Sequence, residues 1–208
     1  MKYQSEGNKE RVEAYKGLQE NMSVARKLFR LFKFFNEYQT IKKTLAAGGD
    51  KTSMYLTCLT RLSFLMYWIF DNLGVLLKVK FISGLDMANV NKHANQFWLL
   101  GLVLSIAGAI RNLLRSAKDA AKLKKDKASV GQEGGLTEAA YKEAVAKFKA
   151  TRLTNIFTII KALGDTTTAS QGLGYPKRFF GFDLNDGVVG LGGFTSAALT
   201  CYQTYPSK

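Results

Sequence analysis

Hydrophobic positions recur at helical spacing along most of this chain, and no run shows the strict alternation of a half-buried strand. Five helical stretches follow. The first runs from about Lys9 to Leu45, weakly interrupted by Gly17 and closed by Ala46-Ala47-Gly48-Gly49-Asp50, because glycine readily takes the left-handed conformation that ends helices. The second covers about Thr52 to Lys78 and is mostly apolar, with Arg61 and Asp71 as interruptions. The third begins near Asp86 and passes Lys125; after Arg111 it becomes basic. Residues 128–135 (ASVGQEGG) read as a linker. The fourth runs from about Thr137, a candidate N-cap, to Leu163. Gly164 to Leu184 reads as a Gly-, Thr- and aromatic-rich loop, and the fifth helix covers about Gly187 to Tyr205.

Two of these stretches carry no formal charge. Ala94–Ile110 is uncharged over 17 residues, the lower edge of bilayer-spanning length, and Gly187–Tyr205 over 19. In the last helix Gly192, Ser196 and Thr200 recur every four residues, as do Gly193 and Ala197, a spacing that lets another helix approach closely in lipid. A Gly-rich helix in a soluble core would show the same spacing. Arg61 at a bilayer centre would cost about 2.5–3.5 kcal/mol, which favours a packed or half-embedded second helix over a span. The expected fold class is all-α: a single-domain helical membrane protein with an N-terminal amphipathic helix and one or two hydrophobic helices as candidate spans.

The amphipathic helix is Met22–Leu45, MSVARKLFRLFKFFNEYQTIKKTL. At about 100° per residue, Val24, Leu28, Leu31, Phe32, Phe35 and Tyr38 fall within roughly 120° of arc. Arg30, Lys33, Asn36, Glu37 and Thr40 fall opposite, and Phe29 lies outside the stripe. A basic helix with bulky aromatics along one face suits an interface, with Arg26, Lys27, Arg30 and Lys33 meeting lipid headgroups. The same stripe could instead pack against the other helices of a bundle. Each apolar side chain contributes about 1.5–3 kcal/mol on full burial, against about 1 kcal/mol for each base near an anionic leaflet. The apolar face should therefore dominate binding and the charges select the lipid.

Charge adds a partner class. Thirty Lys and Arg against 16 Asp and Glu give +14, which calls for an acidic partner. No nucleic-acid module is recognisable, so an anionic phospholipid membrane is the better candidate. Cys58 and Cys201 lie in apolar stretches and offer neither a disulfide framework nor metal spacing; both are expected to be buried. His93 is the only histidine, with nothing nearby to activate a nucleophile. No enzyme, metal site or cofactor is expected. Residues 1–96 hold 15 bases and 8 acids (+7), and residues 111–186 hold 14 and 8 (+6), so loop charge alone does not orient the chain.

Residues Ala25–Asn36, ARKLFRLFKFFN, resemble the ARKLFRLGKFLN-like helix of the peroxin-11 family of peroxisomal membrane elongation and division factors. Asp71-Asn72-Leu73, Gln96-Phe-Trp-Leu-Leu-Gly101 and Asn185-Asp-Gly-Val-Val-Gly190 resemble later family segments, in order, so the resemblance covers residues 22–205. Phe32 stands where the family often has Gly. The stretch before Ser23 is short, as in a variant or incomplete start, and the family's early motif is blurred into Ser5-Glu-Gly-Asn-Lys-Glu10. The Lys-rich stretch and residues 168–187 resemble the family's glycosomal branch.

The resemblance implies a helix that inserts into the cytosolic leaflet and bends it, with Ala25–Phe35 as that helix. It also implies homo-oligomers, fission machinery that includes a dynamin-like enzyme, and both termini in the cytosol. The function expected is therefore curving and elongating the peroxisomal (glycosomal) membrane to promote fission, proliferation and size control. The alternative is a pore or metabolite channel of the same membrane.

Overall fold

The computed structural model describes residues 9–128, 130 and 137–205. Ser5–Asn8 of the blurred early motif, and most of the 128–135 linker, lie outside the described residues. The chain forms α1 (Lys9–Leu28), α2 (Phe34–Ala47), α3 (Lys51–Lys78), α4 (Met87–Ala128), α5 (Glu138–Gly172), α6 (Tyr175–Phe180) and α7 (Asp186–Thr204), with no strand among the described residues.

Side-chain caps set several boundaries. Asp50 accepts from the Ser53 backbone N–H at 3.2 Å, Thr137 from Ala140 at 3.3 Å and Asn185 from Val188 at 2.9 Å, each satisfying an orphan donor of a first turn. The 164–172 stretch, expected as loop, instead continues α5. Its hydroxyls bond back along the helix, Thr166 to the Ala162 carbonyl and Thr167 to the Gly164 carbonyl, both at 2.7 Å. That bonding satisfies the hydroxyls inside the helix, and the close packing of Gly164 on Gly192 of α7 holds the stretch helical despite threonine's poor intrinsic preference.

Among the described residues the helices form an open row: α1 and α2 lie on α3, α3 on α4, α4 on α5, and α5 on α6 and α7. The long members alternate in direction. Asp50 at the start of α3 pairs with Arg111 and Arg115 late in α4, each at 2.8 Å, whereas Gly74 near the end of α3 faces Asn91 near the start of α4. The Asp50 carboxyl is held well below the usual carboxylate range by the Arg111 hydrogen bond first and the Ser53 hydroxyl second. Between α3 and α4 an aromatic layer packs Tyr67 against Trp98 at 5.4 Å and Phe70 against Phe97 at 5.7 Å. Between α4 and α5 the core is Leu102, Ala162 and Ala169.

A row buries much less than a closed bundle. Among the described residues no large side chain is fully buried, and α4 is the one helix long and apolar enough to cross a membrane. Only 17% of its most apolar stretch is buried. Apolar surface left open on that scale marks a lipid or protein contact rather than a soluble surface. Cys58 is half-buried and Cys201 exposed, against the expectation of two buried thiols; among the described residues α7 packs on α5 alone, which leaves Cys201 uncovered.

Candidate membrane-contact site

The Met22–Leu45 segment is not one continuous helix. It breaks over residues 29–33, where tight turns replace helical bonds: Arg30 N–H donates to the Lys27 carbonyl at 3.0 Å, and Lys33 to Arg30 at 3.2 Å. Phe32 sits at φ +63°, in the left-handed region that costs a non-glycine residue about 1–2 kcal/mol. What this conformation gains is contact on the polar side of the segment. Lys27 and Arg30 converge on Asp71 of α3, at 2.7 and 3.7 Å, while Arg30 and Lys33 cover the Trp68 ring at 5.1 and 4.5 Å. One turn further, Glu37 meets Arg61 at 3.3 Å.

The polar side therefore faces the protein and the aromatic side faces away. Phe29 is 91% exposed, Phe32 63%, Phe35 55% and Tyr38 53%, and Leu28 is exposed beside them. Val24 and Leu31 are only half-buried. Phe32, Phe34 and Phe35 form one ring cluster, with Phe34 and Phe35 centroids 4.4 Å apart. Phe34 turns inward, onto the Tyr67–Trp68 core. The stripe thus divides: Val24 and Leu31 lie partly against the row, while Leu28, Phe32, Phe35 and Tyr38 stay exposed.

Of the four bases expected at headgroups, Arg26 is exposed, whereas Lys27 and Arg30 lie partly under their contacts with Asp71. The Lys33 ammonium is pulled below its ordinary value, by burial first and by the Arg30 charge second. The docking is incomplete in its hydrogen bonding. Arg30 Nε, Trp68 Nε1 and Asp71 Oδ2 are buried without a hydrogen-bond partner, each at a cost of about 1–3 kcal/mol. Asp71, Trp68 and Arg61 were not legible as partners of this segment, since a single helical wheel shows nothing of its neighbours.

The sequence matches the family described as peroxisomal biogenesis factor 11 over residues 1–205. The chain belongs to that family. It is accordingly a peroxisomal membrane protein that acts in peroxisome proliferation, and the family is one of biogenesis factors rather than of a known enzyme class. Comparison with curated proteins and with solved structures finds no significant match.

In this member of the peroxisomal biogenesis factor 11 family, the small residues of α7 divide between two faces. Gly192 meets Gly164 of α5 so closely that a Cβ at Gly192 would lie 2.6 Å from the Gly164 carbonyl oxygen. Ser196, one turn on, is buried and hydrogen-bonds Asp165. Gly193 has no heavy atom within 4 Å of where its Cβ would stand, and Ala197 is exposed. Thr200, third in the Gly192 row, is exposed and bonds back to the Ser196 carbonyl at 2.8 Å.

Proposed function

We propose that the segment from Met22 to Leu45 inserts its outward aromatic face into the cytosolic leaflet, curves and elongates the peroxisomal membrane, and so promotes fission and size control. The observation that carries this reading is the division of faces: the polar side is engaged by Asp71, Trp68 and Arg61, and the aromatic side is left to an outside partner. A wedge of phenylalanines at the level of the acyl boundary expands one leaflet relative to the other.

The docked segment needs a way to leave α3. Gly48 and Gly49, at φ +64° and +99° with open space around both, form a hinge between α2 and α3. On opening, Lys27, Arg30 and Lys33 exchange Asp71 and Trp68 for lipid phosphates, and Arg26 joins them. Anionic lipid thus competes with α3 for the same cations.

The reading keeps both termini cytosolic. If α4 and α7 both cross, their common direction in the row requires α3 and α5 to cross with them, carried by packing in the row, since by length and apolar composition α4 alone qualifies among the described residues. Within the row Lys161 bonds Gln203 and Asp165 bonds Ser196, while Arg61 and Asp71 are paired, with Glu37 and Lys27, only in the docked state. Arg111, Arg115 and the Lys-rich end of α4 then mark the cytosolic face. The uncovered Gly193–Ala197 row of α7 supplies the surface for homo-oligomers. Recruitment of fission machinery with a dynamin-like enzyme, and a glycosome as the specific organelle, complete the proposal through the resemblance.

The test is electron microscopy of anionic liposomes carrying the full chain. The parent protein should produce tubules, and a variant with Phe29, Phe32 and Phe35 changed to Ser should leave round vesicles. Equal tubulation by both would remove the mechanism.

A further inference from the structure

The 172–184 connection is a second exposed aromatic element, remote in sequence from the first. It is a closed excursion: the Leu184 backbone N–H donates to Gln171 Oε1 at 3.0 Å, so the chain leaves and rejoins α5 at one point. Gly174 and Gly181, at φ +67° and +79°, frame the single short helix α6. Within the excursion Phe179, Phe180 and Phe182 are 68%, 73% and 58% exposed. Their ring contacts are local: Tyr175 with Phe179 at 5.6 Å, and Phe180 with Phe182 at 6.1 Å. Lys177 and Arg178 lie between Tyr175 and Phe179 in sequence, both exposed, with the Lys177 ammonium 4.0 Å from the Asp183 carboxylate across the excursion.

Its height along the row is fixed by a close contact. A Cβ on Gly172 would lie 2.5 Å from Asn95 Nδ2, so the end of α5 packs directly on Asn95. Asn95 stands at the start of the charge-free stretch of α4, immediately after Lys92 and His93. If α4 crosses the membrane, that is where hydrocarbon gives way to headgroups. The excursion cannot stray far from this level, because α6 is only about 9 Å long and its ends are tied at Gln171. Bulky aromatics with adjacent bases at such a depth are the composition of a membrane-interface anchor.

We propose that Phe179, Phe180 and Phe182 are embedded in the leaflet at the Asn95 end of α4, with Lys177 and Arg178 on anionic headgroups. This rests on α4 crossing the bilayer and not on the behaviour of α2. It gives the row a second grip on lipid and fixes its depth. The occupant is lipid rather than protein because the patch joins cations to aromatics at the boundary of the candidate span.

The test uses the full chain with Cys58 and Cys201 changed to Ser, reconstituted in vesicles containing phosphatidylserine. A single cysteine carrying an environment-sensitive fluorophore is placed at Phe180→Cys, Val103→Cys on the exposed face of α4, or Lys142→Cys. The Phe180 site should be quenched by nitroxide on shallow acyl carbons and resist aqueous iodide several-fold better than the Lys142 site. Adding K177Q and R178Q should increase its iodide access. Iodide access equal to that at Lys142 overturns the inference, as does protection without nitroxide quenching, which would mean that protein covers the patch. A Val103 site open to iodide would overturn the span itself, so the two failures are distinguishable.

Discussion

The Lys27 ammonium lies 2.7 Å from the Asp71 carboxylate, and Asp71 is almost completely buried on α3. The pair links the segment that carries the aromatic face to the row that carries the candidate span. It sits beside the break at residues 29–33, so the same few residues determine both where the helix stops and which side of it faces outward.

Replacing Asp71 with Asn should loosen this docking. Removing one partner of a fully buried pair costs about 3–5 kcal/mol, and because Lys27 is about a third exposed the loss here should be nearer 1–2 kcal/mol. Hydrogen exchange should rise across residues 24–47 and stay unchanged in the middle of α4. If Asp71 restrains the segment, the variant should also tubulate liposomes at lower protein concentration.

Phe32→Gly should separate stability from lipid affinity. Relief of the left-handed backbone should stabilise the segment by about 1 kcal/mol, offset in part by the extra freedom of glycine when unfolded. Loss of an exposed ring should weaken vesicle binding. Thermal unfolding in detergent and liposome flotation should therefore move in opposite directions.

What the sequence conveyed depended on how local the deciding interaction was. The Thr137 cap, the charge-free stretch of α4 and the aromatic side of residues 24–38 were legible because each rests on neighbours in sequence. The break after Leu28 was not, since it is stabilised by Asp71 and Trp68, some forty residues away. Phe29, which spoiled the continuous wheel, is the most exposed ring of the site, because the break moves it outward with Phe32 and Phe35. The extension of α5 through Thr166 and Thr167 was hidden for the same reason. The threonines argued for a loop, while the approach of Gly164 to Gly192 decided for helix.

The two adjacent glycines of α7 should respond differently to alanine. A methyl at Gly192 would fall 2.4 Å from Thr167 Oγ1 and 2.6 Å from the Gly164 carbonyl oxygen, so α7 would have to shift away from α5. A loss of about 1–3 kcal/mol is expected, as for other overpacked contacts. Gly193→Ala meets nothing within the chain and should leave the melting temperature in detergent unchanged, or raise it slightly. Crosslinking of the same variant between copies tests whether that face joins oligomers.

Acid should weaken the α3–α4 clamp at Asp50. Its carboxyl titrates below the ordinary value of 3.8 in the folded chain, so the stability it contributes is complete above that value and is lost as pH falls below it. Asp50→Asn should flatten the decline in melting temperature between about pH 5 and pH 2, as the linkage requires, and leave neutral-pH membrane binding intact.

The central claim is that the aromatic face, more than the charge, holds this segment on lipid. The most direct measurement is flotation of a synthetic peptide covering residues 22–45 with anionic liposomes, comparing the parent with Phe35→Glu and Lys33→Ala. The peptide should float, Phe35→Glu should abolish flotation, and Lys33→Ala should only reduce it. Equal losses from the two substitutions, or a larger loss from Lys33→Ala, would contradict the account.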